Sequence, residues 1–168
     1  MTRSRIGFVA LTLALVGLDQ VVKTVSRAAA DGVEGRVFLA PWPGVFELKL
    51  VYNEGVAFGM FQGAGTFLTP IALIIAGAAA VSALRQPTVA RLHTVLCSLL
   101  AAGAIGNMID RLWLGRVTDM FFIRAISFPV FNVADVCITA AAVVLVAGAI
   151  FGHHDRGPRA ETPPAPEP

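Results

Sequence analysis

Charge is scarce in this chain. Only 14% of its 168 residues are Asp, Glu, Lys or Arg, against about 25% in soluble domains. Hydrophobic residues make up 56% and the mean hydropathy is +0.73, so the groups that solvate a surface are missing. Basic clusters are missing too: the net charge of +2 and the lack of any basic run exclude a nucleic-acid partner. Cysteine is limited to Cys97 and Cys137, both inside apolar stretches. Their spacing fits neither a metal site nor a disulfide framework, and they read as small packing residues. No His-Glu-x-x-His motif occurs, and the five serines lie outside any Gly-x-Ser-x-Gly context. His93 falls at the cytoplasmic end of an apolar block, and His153-His154 offer only two ligands. No metal and no cofactor is expected.

What the chain has is long apolar runs. Four stand out, at residues 6–26, 66–84, 92–114 and 131–151. Each is long enough to cross a hydrocarbon core of about 30 Å, which takes about 20 helical residues. The expected fold is an all-α membrane bundle of four transmembrane helices over residues 1–152. Residues 27–65 are too polar to sit in lipid, and 45–52 alternate, with Phe46, Leu48, Leu50 and Tyr52 on one side and Glu47 and Lys49 on the other. That period of two predicts a strand in a small β-rich segment on the outer side. Residues 153–168 hold five prolines and no apolar period, and read as a disordered cytoplasmic tail.

Arg3 and Arg5, the first apolar run and then Ala28-Ala29-Ala30 imitate a cleavable signal peptide. Asp19 and Lys23 near the end of that run, with three more spans behind it, argue that it stays in the bundle. Orientation follows from the short flanks. Arg3 and Arg5, Arg85 and Arg91, and Arg156 and Arg159 share one side if there are four spans, which puts both termini in the cytoplasm.

Charge inside a span costs about 2.5–3.5 kcal/mol per residue at mid-helix, so its placement asks for a reason. Asp19 and Lys23 lie toward the outer end of the first run, four apart on one helical face. Asn107, Asp110 and Arg111 close the third, and Asn132 and Asp135 open the fourth. All gather at one depth, on the side opposite the cytoplasm. A channel or transporter needs polar groups through the whole thickness, and the inner halves lack them. Asp19 with Lys23, and Asp110 with Arg111, read equally well as structural ion pairs. Asp135 has no basic residue within a helical turn. Asp119 supplies it with a partner, since the 15 residues between them can return to one place. Two carboxylates held close share one proton. Such a pair activates water against a scissile carbonyl and passes a proton to the leaving amine.

Five motifs occur in order: Asp19-Gln20-x-x-Lys23; Asn53-Glu54-Gly55-Val56-Ala57-Phe58-Gly59; Gly103-x-x-Gly106-Asn107-x-x-Asp110-Arg111; Val117-Thr118-Asp119; and Phe131-Asn132-Val133-Ala134-Asp135. With four spans, this series resembles bacterial lipoprotein signal peptidase, or signal peptidase II, over nearly the whole chain apart from the tail. The resemblance implies a multi-pass aspartic endopeptidase of the inner membrane, active near the periplasmic face. It implies diacylglyceryl-prolipoprotein substrates cut before the lipidated cysteine, with membrane lipid as the surroundings and the chain working as a monomer. By motif position Asp119 and Asp135 become the catalytic pair. Asn107, Arg111 and Asn132 shape the site, and Asn53, Gly55 and Phe58 belong to a flap that covers substrate. Asp19 and Lys23 become a supporting pair. Gly103 and Gly106 read as points of close helix approach.

Overall fold

The computed structural model describes residues 3–55, 65–85 and 91–151, with side chains left aside for 65–68. Phe58, most of the expected flap and the tail at 153–168 lie outside the described residues. Among the described residues four α-helices and three strands follow one another as α1 (Arg3–Ala29), β1 (Val37–Trp42), β2 (Phe46–Asn53), α2 (Gly65–Arg85), α3 (Arg91–Leu114), β3 (Val117–Ile123) and α4 (Val133–Phe151). Among the described residues three helices, α1, α3 and α4, are long and apolar enough to cross a membrane by length and composition. Within α2 the apolar helix Thr69–Arg85 is shorter.

The sequence of α3 explains why it is central. Ala101, Ala102, Gly103, Ala104 and Gly106 are all buried, so small side chains occur around the helix and neighbours approach closely on several sides. On one side α2 brings Ala72, Ala76, Ala79 and Ala83, spaced by three or four residues to form a stripe. That stripe packs on Cys97, Ala101 and Ala104. On another side α1 turns Phe8, Thr12, Asp19, Lys23 and Ser26 inward, while Leu13, Leu18, Val21 and Val25 stay more than half exposed. Exposed aliphatic side chains of this kind suit hydrocarbon, where no water has to be excluded.

Two glycines set the spacing between helices. A Cβ on Gly103 would stand 2.5 Å from the Ala134 carbonyl oxygen and 2.5 Å from Ile138 Cγ1 of α4. One on Gly106 would stand 2.6 Å from the Asp19 carboxylate of α1.

The strands form one antiparallel sheet in the order β1-β2-β3. The β1–β2 hairpin turns through Gly44 at φ +78, where a side chain would be strained. β3 was not expected from the sequence, and it brings residues from beyond α3 alongside the 46–53 strand. Opposite Lys49 and Leu50 of β2 stands Met120 alone, because the register slips between Leu48↔Phe121 and Val51↔Asp119. This bulge breaks the simple alternation expected for 45–52. Leu50 and Met120 are fully buried, and Glu47, on the face expected to be polar, is largely buried as well. Glu47 is satisfied there by the Gly44 N–H at 3.2 Å and the Arg124 guanidinium at 2.9 Å. The same two contacts, the Gly44 donor foremost, hold its carboxyl below the usual range.

Gly103→Ala is expected to force α3 and α4 apart and to cost about 1–3 kcal/mol. Gly77→Ala, which meets nothing within 4 Å, is the control that should leave stability unchanged or slightly raised. Unfolding of both variants in one detergent measures the difference.

Candidate active site

α4 starts with a reciprocal cap. Asn132 Oδ1 accepts the Asp135 N–H at 2.9 Å, and the Asp135 carboxylate accepts the Asn132 N–H at 3.2 Å. This is a capping box, with Asp in the place usually held by Glu or Gln. A third orphan donor, the Ala134 N–H, is taken by Asp19 Oδ1 of α1 at 2.9 Å. Because its side-chain oxygen is used by the cap, the Asn132 amide nitrogen is free to reach elsewhere. It donates to Asp119 at 2.6 Å and to Asn107 Oδ1 at 3.1 Å. Asn132 thus serves both carboxylates, capping the helix of Asp135 through its oxygen and holding Asp119 through its nitrogen.

Asp119 reaches the same place from the sheet. Phe121 and Phe131 exchange backbone hydrogen bonds at 2.8 and 3.1 Å, which closes the loop after β3 and returns the chain to α4. Asn53 stands at the end of β2 and donates to Asp119 Oδ2 at 3.2 Å. Its own Oδ1 accepts the Gly55 N–H at 3.0 Å, a local turn that fixes the start of the following segment. The strand is anchored beside Asp119 by Thr118, whose N–H donates to Asp110 at 2.8 Å and whose hydroxyl accepts from Arg27 at 2.8 Å.

α3 contributes Asn107, whose amide donates to Asp135 Oδ1 at 2.9 Å. Arg111, one turn on, has a buried Nε with no partner. Asp110 does not pair with it: the ion partners of Asp110 are Lys23 at 3.7 Å and Arg27 at 3.9 Å. Lys23 is fully buried, 2.9 Å from Asp19, and also donates to Asn107 at 3.0 Å and to the Gly106 carbonyl at 3.3 Å. The Asp19–Lys23 pair thus adjoins the polar cluster instead of standing apart. Arg27 was missed in the sequence, although its place four residues after Lys23 sets it on the same face.

Asp119, Asp135, Asn53, Gly55, Asn107 and Arg111 all line one cavity of about 760 Å3. Asn132 stands behind it, wholly buried. Otherwise the walls are mostly apolar, with Ile71 and Ile75 from α2, Ala104 from α3, Val136 and Ile138 from α4, and Phe128 and Phe131 from the returning loop. Two of these, Ile71 and Val136, are about half exposed, so the cavity reaches the outer surface of the helices between α2 and α4. Burial, and then the negative charge of Asp135, raise the Asp119 carboxyl from 3.8 to about 7. Ser82 and His93 do meet, at 3.0 Å, but neither lines this cavity. Cys97 and Cys137 are free and buried.

The family model described as signal peptidase (SPase) II matches residues 11–151. A lipoprotein signal peptidase of Gloeobacter violaceus is 41% identical over 136 residues, covering 80% of this chain and 76% of the relative. One of Symbiobacterium thermophilum is 40% identical over 142 residues, 82% of this chain and 90% of the relative. Among solved structures, a bacterial membrane enzyme determined by the in meso method at 2.3 Å superposes with a TM-score of 0.79. It is 26% identical and covers 92% of this chain and 94% of its own. A second, at 1.9 Å, gives 0.72 at 29% identity, covering 86% of this chain and 92% of its own.

A carboxyl whose native pKa stands above its unfolded value stabilises the fold while it keeps its proton. For Asp119 that contribution is full below about pH 4 and is lost as pH rises through about 7. Asp119→Asn is therefore expected to raise the melting temperature at pH 8 and change it little at pH 4. Thermal scans of both proteins across that range measure the effect.

Proposed function

This chain belongs to the signal peptidase II family, and we propose that it frees diacylglyceryl-modified prolipoproteins of their signal peptides using Asp119 and Asp135 as an acid–base pair. One observation carries the reading. Two amides, those of Asn107 and Asn132, hold the two carboxylates at a single cavity whose walls are otherwise largely apolar. Asp135, in the first turn of α4 where backbone N–H groups favour negative charge, takes the role of base. Asp119 keeps its proton below about pH 7. Water between them loses a proton to Asp135 as it attacks the carbonyl before the lipidated cysteine. Asp119 hydrogen-bonds the carbonyl oxygen, and a proton then passes to the leaving amine.

Other groups have places in the same scheme. Arg111 faces the cavity with an unpartnered Nε and binds substrate backbone carbonyls. Asn53 and Gly55 line the cavity and are assigned, with Phe58, to covering the substrate. Apolar walls receive the signal segment and the acyl chains. In this reading α2 makes a fourth crossing, and residues 1–152 form the peptidase domain ahead of a tail at 153–168. Arg3, Arg5, Arg85 and Arg91 mark the cytoplasmic end together with both termini. The cavity then opens near the periplasmic face of the inner membrane, in a protein that works as a monomer.

Asp119→Asn and Asp135→Asn are each expected to lower processing of a lipid-modified prolipoprotein by more than about 10³-fold, with insertion into the membrane unchanged. Wild-type processing should decline above about pH 7, as Asp119 loses its proton. Full processing by either variant overturns the assignment.

A further inference from the structure

Lys23 has three ammonium hydrogens and nothing that accepts. Three acceptors lie within hydrogen-bond distance of it, Asp19 Oδ2 at 2.9 Å, Asn107 Oδ1 at 3.0 Å and the Gly106 carbonyl at 3.3 Å, with Asp110 Oδ2 farther off at 3.7 Å. The side chain is 0% exposed, so no water competes for those hydrogens. The atom that Asn107 turns toward Lys23 must therefore be its oxygen. Its NH2 group is then directed to the other side, where it meets Asp135 Oδ1 at 2.9 Å. Were Asn107 to flip, its NH2 would confront the ammonium and its oxygen would confront a carboxylate. Both contacts would be repulsive and neither could be relieved by solvent.

A second fixed donor orients the neighbouring amide. The Asp135 backbone N–H occupies Asn132 Oδ1 at 2.9 Å, leaving the Asn132 NH2 between Asp119 Oδ1 at 2.6 Å and Asn107 Oδ1 at 3.1 Å. Asn107 Oδ1 is thus shared by Lys23 and Asn132, and the two amides are locked against each other.

We propose that Lys23 is a positioning residue of the reaction, setting the Asn107–Asn132 amide pair so that both NH2 groups face carboxylates. It acts through Asn107, which accepts from Lys23 at 3.0 Å and donates to Asp135 at 2.9 Å. The inference rests on the reading of those two as the reacting pair. The charged groups around the cluster are Asp19, Lys23 and Arg27 on α1, Asp110 and Arg111 on α3, and Asp135 on α4; β2 presents the neutral Asn53. The Lys23 charge favours ionised Asp119, so its removal should leave Asp119 holding its proton to higher pH.

The test uses Lys23→Met, and Asp19→Asn/Lys23→Met so that Asp19 is not left a lone buried carboxylate while Asp110 keeps Arg27, in the full-length inserted protein with a lipid-modified prolipoprotein. The expected result is a kcat lower by about 10²-fold per folded molecule, a KM within twofold of wild type, and an alkaline limb moved to higher pH. A kcat that falls only with the folded fraction, with the wild-type pH limb retained, overturns the proposal and leaves Lys23 a structural residue. Should neither variant fold, the unaltered protein decides. With 15N-labelled asparagine, the Asn107 NH2 hydrogens should exchange slowly with solvent, and exchange as fast as that of an exposed asparagine overturns the lock. Failure of the acid–base reading itself shows separately, as processing retained by Asp119→Asn or Asp135→Asn.

Discussion

Hydrocarbon offers no hydrogen bonds, so each polar group at the buried ends of these helices has to find its partner within the protein. The architecture follows from that constraint. Asp19 answers both Lys23 and the first turn of α4. Gly106 has no side chain because the Asp19 carboxylate occupies the space one would need. Asp110 meets Lys23, Arg27 and the Thr118 N–H, and so ties the ends of α1 and α3 to the strand that carries Asp119. Support and site are one continuous set of hydrogen bonds.

That continuity accounts for the pairing of strand and helix at the cavity. Asp135 is held by its own helix cap, and Asp119 by neighbours from α4 and β2. The two carboxylates come from different elements and meet at Asn132, and the loop between them is closed by Phe121 and Phe131. A rigid junction between a sheet and a helix terminus suits chemistry that needs two groups at a set separation.

Much of this was legible in the sequence, for local reasons. Apolar runs mark helices because hydrocarbon demands length, and the cost of intramembrane charge singled out Asp19, Asn107, Asp110 and Asp135. The strand at Phe46–Asn53 showed itself by alternation, but the bulge at Lys49 and Leu50 did not, since it exists only against a partner. β3 was hidden because Val117–Ile123 is a short apolar stretch whose pairing partner lies far away in sequence. The spacing of Asn132 and Asp135 carries a capping signature, but nothing local says which carboxylate the Asn132 amide meets. Asp110 was matched to adjacent Arg111, while its partners come from α1. Long-range pairing, not residue type, is what a single sequence conceals.

The half-exposed Ile71 and Val136 on the cavity wall have a kinetic consequence. With the cavity opening into lipid, as proposed, a ligand already dissolved in the bilayer meets that opening by diffusing in two dimensions, without crossing into water. Its effective concentration is a number per unit area of lipid, not per litre of solvent. Diluting a substrate with more lipid or detergent should therefore slow encounter even when its bulk molarity is held constant.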